Sequence, residues 1–183
     1  MTKEIILKVG LQLLLEKGYN GFSYADVSDK VKIKKASIHY HFPTKVDLLV
    51  TIIDNHTEYF RNLRTLQSKK TAEQSLSALI NYYLQLINTD KICLMGSLAN
   101  TGDDLPTIIK EKSQMFCDEI HSYTVSILEK GMENKEFKAI ENVDNKAIEI
   151  LASLMGLTQL SRLYHPGKMH IVIQNIVQQL KTS

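Results

Sequence analysis

The chain has no tryptophan, only three prolines, eight glycines and two cysteines among its 183 residues. Each scarcity excludes something. So few breaking residues, and no alternating β-branched runs bounded by turn signals, exclude a strand-built fold and predict a chain that is nearly all helix. Cys93 and Cys117, 24 positions apart, are too few for a disulfide framework in a chain of this length, which fits a reducing cytoplasm. No apolar run approaches the length of a membrane span. The amphipathic opening MTKEIILKVGLQLLLEKG carries Glu4 and Glu16 and no small-residue cleavage site, so it is not expected to be a signal peptide. Internal repeats and low-complexity tracts are absent. So are the signatures of catalysis: there is no phosphate-binding glycine loop, no nucleophile elbow, no HExxH and no paired-cysteine metal motif. The expectation is a protein that is not an enzyme, with no catalytic residue, no cofactor and no metal.

Acidic residues are missing from one stretch in particular. Between Lys30 and Val46 there are five lysines (Lys30, Lys32, Lys34, Lys35, Lys45) and no carboxylate. The first fifty residues hold eight lysines against five acids, a balance of +3, and the remaining 133 hold 14 basic residues against 15 acids, a balance of −1. The whole-chain charge of +2 therefore hides a basic head on a near-neutral body, as expected when one end meets a polyanion.

Helical spacing of Ile5, Ile6, Val9, Leu13 and Leu14 predicts a first helix from about Lys3 to Lys17, stopped by Gly18. Ser23, with Asp26 three positions on, reads as a capping box and opens a second helix to about Val31. A turn at Lys32–Lys34 leads to a third helix, Lys35–His41. Thr44 can cap a fourth, from Lys45 to about Leu66. Five more are expected near Ala72–Asn88, Ile92–Thr101, Leu105–Glu133, Asp144–His165 and Lys168–Lys181. Asp104 and Pro106 open the longest of these, and Pro166-Gly167 forms the last turn. The second and third helices have the lengths and spacing of a helix-turn-helix, in which the second member enters the major groove. It offers Lys34, Lys35, Ser37, His39, Tyr40 and His41, with Ile38 and Phe42 left for the core. A solvated charged face is the alternative reading of such a lysine run. Donors, an aromatic and missing acids inside one such frame favour DNA.

Phe22-Ser23, the Val27–Val31 helix, the run KASIHYHF (Lys35–Phe42) and KVDLL (Lys45–Leu49) together resemble the DNA-binding domain of the tetracycline-repressor (TetR) family. Spacing, the terminal HF and the following lysine coincide over about the first fifty residues. The resemblance implies a dimeric transcriptional regulator, usually a repressor released by a small ligand. By position it implies Lys35, Ala36, Ser37, His39, Tyr40 and His41 near the groove, with Ser23, Tyr24 and Lys45 towards the DNA backbone; Lys34, offered by the third helix itself, joins them as an expected DNA contact. The chain departs from the family pattern at three places. Lys32 stands where glycine is common in the turn, Lys34 where Ser or Thr often caps, and His39 at the first of two aromatic positions.

The last two predicted helices are apolar on more than one side. Burial inside one protomer is the plain reading, but two recognition helices on a twofold axis read a palindrome where one reads only a few base pairs. A four-helix dimer interface is therefore expected, drawing on Ala152, Met155, Gly156, Gln159, Leu163, Ile173, Ile176, Val177 and Leu180. The middle helices carry Phe60, Tyr82, Tyr83, Leu86, Cys93, Met95, Leu98, Gln114, Met115, Cys117 and His121. This stripe reads either as core or, on the family resemblance and with Asn100 as a further polar group, as an effector pocket. Cys93, in ICLMGSLAN, resembles a cysteine found in electrophile-responsive members of the family. A small buried hydrophobe is the reading preferred over a reactive thiolate. Cys117 and His121 have ligand spacing, but two ligands make no metal site.

The expected architecture is all-α: a three-helix helix-turn-helix domain at residues 1–48 and a helical effector-binding and dimerisation domain at 49–183. The expected function is a cytoplasmic, ligand-responsive, homodimeric regulator, a repressor that leaves a palindromic operator in double-stranded DNA when a small-molecule effector binds. No membrane partner is expected. A ligand-independent architectural DNA-binding protein and a thiol-based sensor acting through Cys93 are the alternatives.

Overall fold

A computed structural model describes residues 2–99, 101 and 105–181, and among them the chain is helical with no strand. Nine helices follow in order: α1 Thr2–Lys17, α2 Tyr24–Val31, α3 Lys35–His41, α4 Lys45–Gln67, α5 Ala72–Asn88, α6 Leu94–Ala99, α7 Thr107–Glu133, α8 Val143–Leu160 and α9 Pro166–Leu180. Asn100 and Asp104, which carried expectations above, lie outside the described residues. Among the described residues no helix is long and apolar enough to cross a membrane.

Local chemistry explains most boundaries. Gly18 closes α1 at φ 74°, its amide reaching the Leu14 carbonyl at 2.9 Å, a left-handed stop that glycine accepts without strain. Thr71 and Gln74 form a reciprocal capping box at α5. Three expectations need correction. Helix α6 is shorter than Ile92–Thr101. Helix α8 ends at Leu160 rather than His165, because the Leu163 and Tyr164 amides both turn back to the Leu160 carbonyl at 2.9 Å. Pro166 opens α9 instead of forming a turn before it, with the His165 ring accepting from the Gly167 amide at 3.1 Å. A first-turn proline has no hydrogen bond to lose.

The chain divides into two compact units that do not follow a single cut. Met1–Tyr59 joins Leu94–Cys117 in the first, and Phe60–Cys93 joins Asp118–Ser183 in the second. In the first unit α1, α2 and α3 pack together around Ile6, Leu13, Leu14, Phe22, Val27, Ile38 and Phe42, all buried. Where α1 passes α4, a methyl group on Gly10 would lie 3.0 Å from a Leu48 methyl. In the second unit α5, α8 and α9 pack mutually over a core that includes Phe60, Leu76, Leu79, Tyr83, Leu154 and Ile173.

His56 is a titratable side chain partly buried in the first unit. It lies on α4, edge-on to Phe116 with ring centroids 6.1 Å apart, and its Nδ1 faces the Ile52 carbonyl at 3.3 Å. Burial lowers its pKa below the ordinary 6.5, and the Ile52 hydrogen bond opposes this only in part. The unfolded chain therefore takes up a proton near pH 6.5 that the folded chain resists. Stability from this group is present above that pH and is lost as pH falls below it. Melting temperatures between pH 7.5 and 5.5 should fall, and His56→Gln should flatten that fall; an equal fall in the variant would show that other groups cause it.

Candidate nucleic-acid interface

Helix α2 is set by its cap. The Ser23 hydroxyl accepts from the Ala25 amide at 3.2 Å, and both the Ser23 amide and hydroxyl donate to Asp26 Oδ2 at 2.8 Å. Lys17 pairs with Asp26 at 2.9 Å. That lysine, followed by the Ser23 amide and hydroxyl, holds the Asp26 carboxyl well below the usual carboxylate range. Helix α2 is capped by Lys32, which adopts the left-handed region at φ 60° and ψ 40° while its amide returns to the Ser28 carbonyl at 2.8 Å. The departure from glycine seen in the sequence is thus a true left-handed lysine, at a cost of about 1 kcal/mol.

Helix α3 is preceded at its cap position by Lys34, whose side chain makes no cap hydrogen bond. A serine there would accept from the first turn, so Lys34→Ser is expected to raise stability by about 1 kcal/mol in urea denaturation. The same change should weaken DNA binding, because it removes a cation. Stability unchanged or lowered would show that this helix end needs no cap.

The faces of α3 separate cleanly. Ile38 is 0 % exposed and Phe42 2 %, whereas Tyr40 is 84 % exposed. Lys34, Lys35, Ala36, Ser37 and His39 are exposed, and His41 is half-buried with its ring edge-on to Tyr40 at 5.1 Å.

Tertiary contacts sort the five lysines. Lys30 is paired with Glu16 at 3.1 Å. The Lys45 ammonium turns inward, donating to the Phe22 carbonyl at 2.6 Å and to the Tyr19 carbonyl. Lys32, Lys34 and Lys35 carry no ion pair among the described residues. These three, grouped at the turn and the start of α3, make a cationic surface open to a polyanion.

The other two side chains assigned towards the DNA backbone also have structural partners. Tyr24 sends its hydroxyl to the carbonyls of Phe42 (2.9 Å) and Thr44 (2.5 Å), and meets the His39 ring edge-on at 4.9 Å. Burial, then the Asp47 charge, pushes its pKa up to about 12. Ser23 is engaged in its cap, as above. The His39 Nδ1 lies 3.0 Å from the Pro43 carbonyl, a bond that requires the proton on that nitrogen. Thr44 caps α4 as expected: its amide and hydroxyl reach Asp47 Oδ2 at 2.8 and 2.7 Å. The Tyr24 tie was not legible, since it joins residues 18 and 20 positions apart.

The expected pocket residues are divided between the two units. In the second unit Phe60, Tyr83, Leu86 and Cys93 are buried, and Tyr82 packs edge-on to Phe60 at 5.0 Å and to Tyr83 at 5.2 Å. His121 lies 3.4 Å from Asp144. In the first unit Leu98 is buried and Cys117 meets the Met95 sulfur at 3.7 Å, while Gln114 and Met115 are exposed on α7. None of the eleven lines the groove of about 220 Å³ on the second unit, which runs between α5 and α9 past Ile80, Leu84, His170, Ile173 and Val177. Cys93 is 3 % exposed, its amide donating to Thr158 at 3.3 Å. Among the described residues no cluster of three metal-ligating side chains occurs.

The expected interface residues also separate. Ile173 and Leu180 are buried within their own chain, 3 % and 0 % exposed, and belong to the protomer core. Both point into the protomer because α9 is apolar on two sides and packs against α5 and α8. Ala152 and Leu163 are exposed, Met155, Gly156, Gln159, Ile176 and Val177 half-buried, and nothing lies within 4 Å of where a Gly156 methyl would be. Ile148, Leu160, Ile171 and Val172 are further exposed apolar side chains on α8 and α9.

Comparison with known proteins adds three findings. Residues 6–52 match the family model described as bacterial regulatory proteins, tetR family, and residues 72–174 match the tetracyclin repressor-like C-terminal domain. The biofilm operon icaADBC HTH-type negative transcriptional regulator IcaR of Staphylococcus aureus is 28% identical over 132 residues, covering 64% of this chain and 70% of that protein. A TetR transcriptional regulator from Legionella pneumophila is 30% identical with a TM-score of 0.89, and a TetR-family regulator from Agrobacterium tumefaciens is 23% identical with a TM-score of 0.90. Each alignment covers 99% of this chain and 98% of the other.

Proposed function

Since this chain belongs to the tetR family of bacterial regulatory proteins, we propose that it is a homodimeric repressor that reads a palindromic operator and leaves it when a small effector binds. It is a helix-turn-helix transcriptional regulator, of a family of DNA-binding regulators rather than enzymes. The observation that carries the DNA-binding step is the outward face of α3, where Tyr40 stands 84 % exposed beside Lys34 and Lys35, which carry no ion pair among the described residues. Tyr40, Ala36, Ser37, His39 and His41 are assigned to base edges, and Lys34 and Lys35 to phosphates.

Repression is the sign favoured by the relationship to the negative regulator IcaR. Residues 1–48 are assigned to DNA, and residues 49–183 to effector response and dimerisation. The open apolar surface of α8 and α9, from Ile148 through Ala152 and Gly156 to Leu163 with Ile171 and Val172, is the dimer face of this reading. Release by an effector requires a differential affinity between two states, with a coupling of about 1–3 kcal/mol typical. Helix α4 is continuous from the DNA-reading segment to Gln67 and is the element assigned to carry that shift. The same reading carries a cytoplasmic location, beside the chromosome.

The test is binding to fragments from upstream of the chain's own coding region, at two salt concentrations and against bulk competitor DNA. Saturable, salt-sensitive binding to a palindrome with two protomers per site is expected. Weak binding indifferent to sequence would favour an architectural protein instead.

A further inference from the structure

We propose that Lys45 is a positioning residue, whose ammonium clamps the connection between α1 and α2 against the start of α4 and so sets the helix-turn-helix for DNA without itself meeting a phosphate. The inference rests on the DNA-binding reading above and refines it. Besides its hydrogen bonds to the Phe22 and Tyr19 carbonyls, the Lys45 Nζ lies 4.2 Å from the centre of the Phe22 ring and 4.6 Å from that of Tyr19. An ammonium has three donors. Two are engaged, and aromatic faces attract what remains of the charge. Moving out to a phosphate would leave two carbonyls without this donor.

The clamp acts where the recognition element begins. Phe22 immediately precedes Ser23, which caps α2, and Lys45 immediately follows Thr44, which caps α4. Tyr24 makes the reciprocal tie, from the first residue of α2 to the carbonyls of Phe42 and Thr44. The two side chains thus lace the segment before α2 to the segment after α3, and α3 is held between them. The connection is tight as well: a methyl group on Gly21 would stand 2.2 Å from the Lys17 carbonyl oxygen. Lys34 and Lys35, by contrast, have no such anchors.

Limited acetylation of the free, full-length chain, read by peptide mass spectrometry, tests the clamp without DNA. Lys45 is expected to react about tenfold more slowly than Lys34 and Lys35, because its nitrogen must leave two carbonyls and two ring faces to reach the reagent, which outweighs the lowering of its pKa by burial. Equal reactivity overturns the clamp, whatever the protein does with DNA. The second arm titrates a labelled duplex of random sequence at several KCl concentrations with the wild type, Lys45→Gln and Lys35→Gln. Losing a phosphate contact lowers the log–log salt slope by about 0.9 per protomer. Lys35→Gln should show that loss, whereas Lys45→Gln should weaken binding about fivefold with the slope unchanged. A slope lowered as in Lys35→Gln overturns the proposal, and so does unchanged affinity with only a lower melting temperature. Should Lys45→Gln not fold, Lys45→Arg keeps the charge but not the compact ammonium. Weakened binding at unchanged slope is expected of it, and wild-type affinity overturns the clamp. Failure of the wild type to bind any duplex would count against the DNA-binding reading, while the acetylation rates still decide the clamp.

Discussion

Phe137→Ala is expected to lower the stability of the second unit by about 3–5 kcal/mol, the range for deleting a buried aromatic ring. Phe137 is 2 % exposed and lies directly against the backbone of α7: a methyl group built on Gly131 would fall 2.0 Å from the ring. The chain reaches this position by a tight reversal. Lys135 is left-handed at φ 59°, and the amides of Glu136 and Phe137 both return to the Gly131 carbonyl, at 2.8 and 2.9 Å. Neighbouring bonds then fasten the segment to both ends of the unit. The Glu136 carboxylate receives the Ala72 and Glu73 amides at the start of α5, at 3.1 and 2.9 Å, and the Lys138 amide reaches the Leu180 carbonyl at 2.9 Å. A single ring therefore seats the connection that joins α5, α7 and α9.

Urea denaturation checks this directly, and a loss below about 1 kcal/mol would show that the ring is not the seat of that connection. Gly131→Ala should cost about 1–3 kcal/mol by overpacking against the same ring. Because the two positions touch, combining Gly131→Ala with Phe137→Leu should cost less than the sum of the single changes. Additive losses would place the two effects at independent sites.

Tyr40→Ala is expected to lower operator affinity by about 1–3 kcal/mol, the range for losing one good base contact. At 84 % exposure the ring contributes little packing, so stability should stay within about 0.5 kcal/mol. The two outcomes must occur together. Affinity for random-sequence DNA should fall less than affinity for the operator, since Tyr40 brings no charge to the phosphates. Equal loss on both duplexes would make Tyr40 a backbone contact, and normal operator binding would remove it from the interface.

Much of the helix-turn-helix was legible because its rules are local. Ser23 and Asp26 cap α2, Thr44 and Asp47 cap α4, and Ile38 and Phe42 turn inward while Tyr40 turns out. Each of these depends on residues three or four positions apart, where helix geometry alone decides which groups meet. The same locality made the ends of α3 and α5 readable to the residue. It failed where an end was decided by a turn after it, as at Leu160.

By itself, then, the amino-acid sequence determined the all-helical class, the position of the recognition helix and the basic head, because periodicity, caps and charge are properties of short segments. Only the tertiary structure decided which lysines remain available. Lys30 is taken by Glu16, 14 positions away, and Lys45 by carbonyls 23 and 26 positions away, while Lys32, Lys34 and Lys35 stay open. It also decided that Ile173 and Leu180 belong to the protomer core while Ile171 and Val172 stay exposed. A helix apolar on two sides does not encode which side a neighbour will cover, because that choice rests on contacts between residues far apart in the chain.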